Sequence, residues 1–334
     1  MNVVIPMAGR GTRLRPHTLT VPKPLIPIAG KPIVQRLVED IAQVCNEKID
    51  KIGFIIDRNF GEEIEDNLQK IANEVGGEGY IYYQDDKLGT AHAILCAQQL
   101  LEGNVVVAFA DTLFKADFVL DTSQDGIIWV QQVDDPSAFG VVKLDDDEVI
   151  SDFVEKPQDF ISDLAIIGIY YFKDAVTLRT ELQHLIDRNL KVKGEYQLTD
   201  ALESMKEKGT KFIPGVVSEW LDCGNKNATV YANKRYLEYL SKEELIDPSV
   251  QKKNAVIIPP VYIGKDVIVE NSVIGPHVSI GDSTVVKNSI IQNSIIQTHS
   301  DLNNLNIKNS MIGNFVNFKG RQEDLSLGDY NVLI

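Results

Sequence analysis

The sequence predicts an α/β protein in two parts: a Rossmann-like domain with a mixed, mostly parallel sheet, then a short left-handed β-helix of hexapeptide repeats. Three observations carry that prediction. From the first residue to about residue 240, short apolar runs alternate with longer amphipathic ones, the pattern of strands buried on both faces by crossover helices. Around residues 139–154 two strand-like runs flank an acidic turn, which predicts a hairpin beside the sheet. After residue 255, aliphatic residues recur every six positions, and so short an internal period signals stacked coils.

Taken in order, residues 2–7 read as a strand and residues 31–44 as a helix opened near Pro32, with Ile33, Leu37, Val38 and Ile41 on one face. Further buried strands are expected at 52–56, 80–83, 105–110 and 127–133, separated by helices near 61–75 and 90–101. The hairpin pairs 139–144 with 149–154 around Asp145-Asp146-Asp147-Glu148, a solvated turn. A strand at 165–172, a helix near 174–189 and a last helix near 225–240 complete a domain spanning residues 1–240. Residues 241–254, charged and containing Asp247-Pro248, read as a linker, and residues 255–334 as the β-helix. There Val261, Val267, Val273, Val285 and Ile291 share one six-residue register, broken by Ser279. Tyr262, Ile268, Ile274, Ile280 and Val286 occupy the next register. The recurring aliphatic side chain points into a core that neighbouring coils bury together.

With 334 residues and 44% hydrophobic content the chain can build a full core in each part. Its formal net charge of −15 argues against nucleic acid or an anionic membrane as a general partner. An anionic ligand therefore needs a local basic pocket. No secretory signal is read at the amino end and no stretch is apolar for about 20 residues, so a cytoplasmic location is expected. Cys45, Cys96 and Cys223 lie far apart without a CxxC pair, which fits reduced thiols.

The basic pocket is legible in residues 1–38. Arg10, Arg13, Arg15, Lys23, Lys31 and Arg36 occur there without one Asp or Glu, although 48 acidic residues in 334 would put about five in that stretch. The loop after the first strand reads MAGRGTRLRPHTLTVPKPLIPIAGKP. Gly9 and Gly11 let backbone amides approach a phosphate, and Arg13 and Lys23 can neutralise its charge. Neither a P-loop nor a GxGxxG fingerprint fits, since GK[ST] and the third glycine are missing.

The GxGTR and PKP elements together resemble the signature of the sugar-1-phosphate nucleotidyltransferases, the pyrophosphorylases that make nucleotide sugars. Further motifs follow in family order over nearly the whole chain. The resemblance implies a nucleoside triphosphate held by Ala8, Gly9, Gly11, Thr12 and Arg13, with Arg13 and Lys23 catalytic. Gln84 and the run Leu88-Gly89-Thr90-Ala91-His92-Ala93 look like the base-reading segment, where Gln84, Gly89 and Thr90 meet a nucleobase similar to uracil or thymine. It implies that Asp111 and Asp222 hold Mg²⁺, a hard cation that takes one or two carboxylates plus phosphate oxygens. Gly140, Glu155, Lys156, Gly168 and Tyr170 are implied on the sugar-phosphate side, with Glu195 a weaker candidate and Thr199 a helix cap. A Glu-Lys pair such as Glu155-Lys156 would alone be a solvated surface pair.

The implied reaction is in-line attack by a sugar 1-phosphate oxygen on the α-phosphorus of the triphosphate, with pyrophosphate leaving. The overall pattern is most similar to long-type glucose-1-phosphate thymidylyltransferases, with uridylyltransferases close and mannose-1-phosphate guanylyltransferases an alternative. A bifunctional enzyme with a C-terminal acyltransferase is a further alternative, although His17, His184, His277 and His299 show no metal or triad spacing. Ala110 and Cys223 depart from the commoner glycine and threonine of the family. The β-helix is expected to be an oligomerisation or regulatory module, in a homo-oligomer.

Overall fold

A computed structural model describes residues 1–9, 11–45, 47–116 and 118–321. The chain divides into two compact units, one of Met1–Ile26 with Lys31–Asn225, the other of Pro27–Gly30 with the chain from Lys226 onward. The expected boundary at residue 240 and the division at 225/226 differ by one helix, which groups with the second unit. Pro27–Gly30, within the amino-terminal signature, groups there too: the Ala29 amide donates to Asn233 Oδ1 at 2.9 Å.

In the first unit β1 (Asn2–Pro6) is buried at all five positions, as a strand covered on both faces should be. Helix α1 (Ile33–Val44) follows, its Ile33, Leu37, Val38 and Ile41 almost wholly buried. Next come β2 (Lys51–Ile56), α2 (Glu62–Glu74) and β3 (Glu78–Tyr83). Glu62, Glu63 and Glu65 stand in the first turn of α2, where carboxylates complement the helix dipole. Helix α3 (Thr90–Leu95) is shorter than the 90–101 expected, because from Ala97 onward i→i+3 bonds replace the α pattern.

Strand β4 (Val105–Ala108) also stops two residues early. The chain turns through Phe109, whose carbonyl accepts from the Thr112 amide, into β5 (Thr112–Lys115). Then follow β6 (Gly126–Gln132) and the hairpin β7 (Gly140–Leu144) and β8 (Ile150–Glu155), paired antiparallel. Asp145 Oδ1 closes its acidic turn by accepting from the Asp147 and Val149 amides. β9 (Leu164–Phe172) shifts register between Ile166 and Tyr170, where Gly168 takes φ 87. Next are α4 (Ala175–Asp187), α5 (Leu198–Glu207), β10 (Phe212–Val216) and β11 (Glu219–Asp222). Gln197, not Thr199, is the residue at the N-cap of α5.

The main sheet has the order β8-β7-β9-β4-β1-β2-β3, with β6 beside β9 and β10 beside β6. β4, β1, β2 and β3 are mutually parallel. β9 runs against β4, β6 and β7. β5 and β11 form a separate antiparallel pair that carries Asp222 opposite Thr112.

The second unit begins with α6 (Lys226–Tyr239) and winds into a β-helix of three parallel sheets. Its first strand, Gln251–Lys253, lies inside the expected linker, and the ladder continues to Asn317–Lys319. The coil is not the 18 residues that three hexapeptides would give. Val256 pairs with Val273 and Val273 with Ile290, a step of 17, whereas Ile290 pairs with Asn306, a step of 16. Each coil face of five residues in place of six moves the interior position back by one. Ile263 and Val269 are inside six apart, Ile274 follows after five, Ile280 and Val286 after six each, and Ile291 after five. Asn254, Asn271 and Asn288 mark one corner at φ near 50, a left-handed conformation that Asn tolerates. Their side chains form a ladder, Asn254 Nδ2 donating to Asn271 Oδ1 at 2.9 Å and Asn271 Nδ2 to Asn288 Oδ1 at 3.3 Å.

Candidate active site

Because β4, β1, β2 and β3 run parallel, their carboxyl ends open on one edge, where open α/β sheets bind ligands. A cleft of about 370 Å³ lies there. Ala8, Gly9, Gly11, Thr12, Arg13 and Lys23 line it from the loop after β1, Gln84, Gly89 and Thr90 from the loop after β3, and Asp111 from the turn after β4. All ten candidates were expected on the nucleotide and metal side. Arg10 lies outside the described residues.

Local chemistry explains each placement. Gly11 sits at φ 57, and a Cβ there would meet Lys23 Cβ at 3.0 Å. A Cβ on Gly9 would meet nothing within 4 Å, so that position faces open space. Gly89 combines φ 114 with a hypothetical Cβ 2.4 Å from the Tyr196 carbonyl, so only glycine lets the two segments close. The Ala91 amide donates to that carbonyl, the Tyr196 amide to Leu88 O, and the Leu198 amide to Thr90 Oγ1 at 2.9 Å. Those bonds tether residues 194–200 to the cleft, and Glu195 lines it. Buried Gln84 is held by its Nε2, 3.2 Å from Gly89 O and 3.3 Å from His92 Nδ1.

Opposite charges meet at the mouth. Lys23, almost fully buried, places its Nζ 3.0 Å from Asp111 Oδ2, whose side chain is 45% exposed. Asp222 is outside the lining of the cleft, but β11 pairs with β5 and the Cys223 amide donates to Asp111 O at 3.0 Å. Burial pushes the Asp222 carboxyl above the usual carboxylate range; Lys23 opposes that shift and the charge of Asp111 adds to it. Two hard oxygen donors thus share one environment with an ammonium as their resident cation. That donor set fits a divalent ion completed by phosphate oxygens and water. Among the described residues no group of three or more metal-ligating side chains occurs.

The basic stretch divides. Arg13 and Lys23 reach the cleft, whereas Lys31 pairs with Glu39 at 2.6 Å and buried Arg36 lies 3.9 Å from the same carboxylate. Gly140, Glu155, Lys156, Gly168 and Tyr170 do not line the cleft. Gly140 and Glu155 are register partners, and Lys156 Nζ reaches Glu155 Oε1 at 3.0 Å while remaining half exposed. Lys156 takes φ 43, and its amide donates to Phe139 O. Tyr170 connects this group to the metal side: burial first, then the charges of Glu155 and Asp111, push its phenol well above the usual tyrosine range. The Phe109 amide donates to Gly168 O and Thr112 Oγ1 to Ile167 O, joining the bulge of β9 to the Asp111 turn.

Three residues were not among the expected site residues: Thr199, expected only as a helix cap, Trp220 and Lys87. Thr199 Oγ1 and Trp220 Nε1 are buried without a hydrogen-bond partner among the described residues. Thr199 Cγ2 would stand 3.6 Å from a Cβ on Gly140, and the Trp220 ring lies 5.1 Å from Phe139. Lys87 lines the cleft and donates to Ala8 O at 2.6 Å and Asp57 Oδ2 at 2.7 Å. A basic residue between Gln84 and Gly89 was the available signal.

A glycine loop, two carboxylates that influence each other and buried Lys23 at the edge of a parallel sheet are the features of a nucleotide-handling transferase site. Comparison supplies the family: the nucleotidyl transferase model matches residues 2–239, and the chain belongs to the sugar-1-phosphate nucleotidyltransferases. It is 33% identical over 248 residues to the bifunctional protein GlmU of Methanococcus vannielii, covering 71% of this chain and 55% of that protein. It is 33% identical over 264 residues to the low-salt glycan biosynthesis nucleotidyltransferase Agl11 of Haloferax volcanii, covering 77% and 69%. A crystal structure of UDP-glucose pyrophosphorylase with UDP-glucose superposes at TM-score 0.58 and 25% identity, over 71% of this chain and 98% of that one. No helix among the described residues is long and apolar enough to cross a membrane.

Proposed function

We propose that the protein condenses a nucleoside triphosphate, UTP or dTTP, with glucose 1-phosphate, giving the nucleotide sugar and pyrophosphate. The observation that supports it most is the meeting of Lys23 with Asp111 at 3.0 Å in a cleft floored by the glycine loop, with the segment that carries Asp222 held to the same corner by the Cys223 amide, which donates to Asp111 O. Two polyanions must approach each other, and negative charge grows on the departing pyrophosphate. Positioning and preorganised charge are therefore the main catalytic devices.

In this reading the backbone around Gly9 and Gly11 receives the triphosphate, and Arg13 and Lys23 offset its charge. Gln84, Gly89 and Thr90 hold the base. Glu155, Gly140, Gly168 and Tyr170 surround the sugar, and half-exposed Lys156 exchanges Glu155 for the sugar phosphate, orienting the attacking oxygen. The orphaned Thr199 hydroxyl and Trp220 N–H offer further partners for sugar hydroxyls. Asp111 and Asp222 would hold Mg²⁺, which supplies Lewis-acid stabilisation of phosphate charge when bound. The sugar phosphate is already ionised near neutral pH, so no general base is required. A cytoplasmic, homo-oligomeric enzyme whose β-helix mediates assembly completes the reading.

A pyrophosphate-release panel tests it: the common triphosphates against glucose, galactose, mannose and N-acetylglucosamine 1-phosphates, with Mg²⁺ or with chelator. Fastest release with UTP or dTTP and glucose 1-phosphate, lost on chelation, is the expected result. Preference for GTP with mannose 1-phosphate would replace the substrates, and no release from any pair would remove the reaction.

A further inference from the structure

Lys87 occupies an unusual position for a lysine beside an anion site, because its ammonium already has partners. Its loop follows β3, Ala8 follows β1, and Asp57 follows β2, so the side chain joins the carboxyl ends of three neighbouring parallel strands. Asp57 is itself anchored, Oδ1 accepting from the Asn59 amide at 3.1 Å and from Asn59 Nδ2 at 2.8 Å. The Lys87 hydrogen bond, the largest of several influences, holds the Asp57 carboxyl below the usual carboxylate range. Both side chains are about 70% buried, which leaves the pair less screened than a surface ion pair.

The acceptor on the glycine loop gives the contact its consequence. In a planar trans peptide the C=O and N–H point to opposite sides. Holding the Ala8 carbonyl toward Lys87 therefore turns the Gly9 N–H the other way, and among the described residues nothing accepts from it. Gly9 also faces open space in the cleft lining. A backbone donor fixed in direction and left unpaired there is suited to a phosphate oxygen.

We propose that Lys87 is a positioning residue for the nucleoside triphosphate, acting with Asp57 to orient the Ala8–Gly9 peptide rather than touching phosphate itself. This rests on the nucleotidyltransferase reading of the same cleft. Loss of the latch weakens triphosphate binding selectively, since the sugar-side residues hang on other elements.

The test compares Lys87→Met, Lys87→Gln, Asp57→Ala and the double variant Lys87→Met/Asp57→Ala. Each is measured for equilibrium binding of UTP and dTTP by calorimetry and for KM and kcat by pyrophosphate release. Loss of a charge-assisted bond should raise the triphosphate Kd and KM about tenfold. The sugar 1-phosphate KM and the melting midpoint should stay near wild type, with the double variant no worse than Lys87→Met. Should Lys87→Met fail to fold, Lys87→Gln is read in its place. Unchanged triphosphate affinity overturns the proposal, as does an equal rise in both KM values. Tighter binding in Asp57→Ala also overturns it, because a released Lys87 would then be contacting phosphate directly. Wild-type protein that binds a triphosphate yet releases no pyrophosphate defeats the reaction alone, and the binding measurements still decide the latch.

Discussion

The cleft and the β-helix use polar groups in opposite ways. In the β-helix every coil meets a neighbour, so aliphatic residues fill the interior and the corner asparagines bond to their own counterparts one coil away. At the cleft, Asp111 lies close enough to Asp222, just outside the lining, for the like charges to oppose each other, and Thr199 and Trp220, also outside the lining, have buried polar atoms left unmatched. Matching is incomplete in the coils too, where Asn293 Oδ1 is buried without a partner among the described residues, but the site adds like charges held close together, a bonding capacity suited to a ligand.

Substitutions can break this contrast. Ile280→Ala, at a fully buried coil position, should cost about 2–5 kcal/mol in denaturant unfolding. A cost under about 1 kcal/mol would mean that the coil interior is not packed as described. Lys23→Ala and Asp111→Asn should each lower pyrophosphate release about a hundredfold, equivalent to ~3 kcal/mol in the transition state, with folded circular dichroism. Release within a few-fold of wild type would remove those residues from the machinery.

Smaller effects sharpen it. Asn271→Ala should destabilise by about 1 kcal/mol, and Asn271→Gly by less, since glycine keeps the left-handed corner and loses only the two ladder bonds. Equal losses in the two variants would count against backbone conformation as the reason for asparagine there. Asp222→Asn should abolish turnover yet raise the metal-free melting midpoint above pH 7. The sign follows from the raised carboxyl: the native state favours the protonated form, so stability falls as pH rises from the ordinary carboxylate pKa through the raised native one, and the charge opposes folding at every pH above it. A lowered midpoint in Asp222→Asn would reverse the assignment.

Particular elements mark what pattern can reveal. β1 and α1 were legible because each carries its own periodicity, every position buried in one and a 3–4 spacing in the other. β10 was hidden by Pro214 and Gly215, which weaken a strand signal, and short β5 and β11 exist as strands through pairing with each other. Asp111 was expected at a strand end and stands on a turn past it, still at the same sheet edge. The 17-residue coil was also available in the spacing of Asn254, Asn271 and Asn288, but aliphatic residues on two adjacent registers concealed it.

Local chemistry determined, from the amino-acid order alone, that a basic glycine loop follows the first strand, that carboxylates follow later apolar runs, and that coils stack at the end. Tertiary structure decided which charges share a cleft. It separated Lys31 and Arg36 from Lys23, brought the Asp222 segment beside Asp111, and set Lys87 on the Ala8 carbonyl. The reason is physical: periodicity records the face a residue buries, while an ion pair between positions 88 residues apart depends on strand order and register.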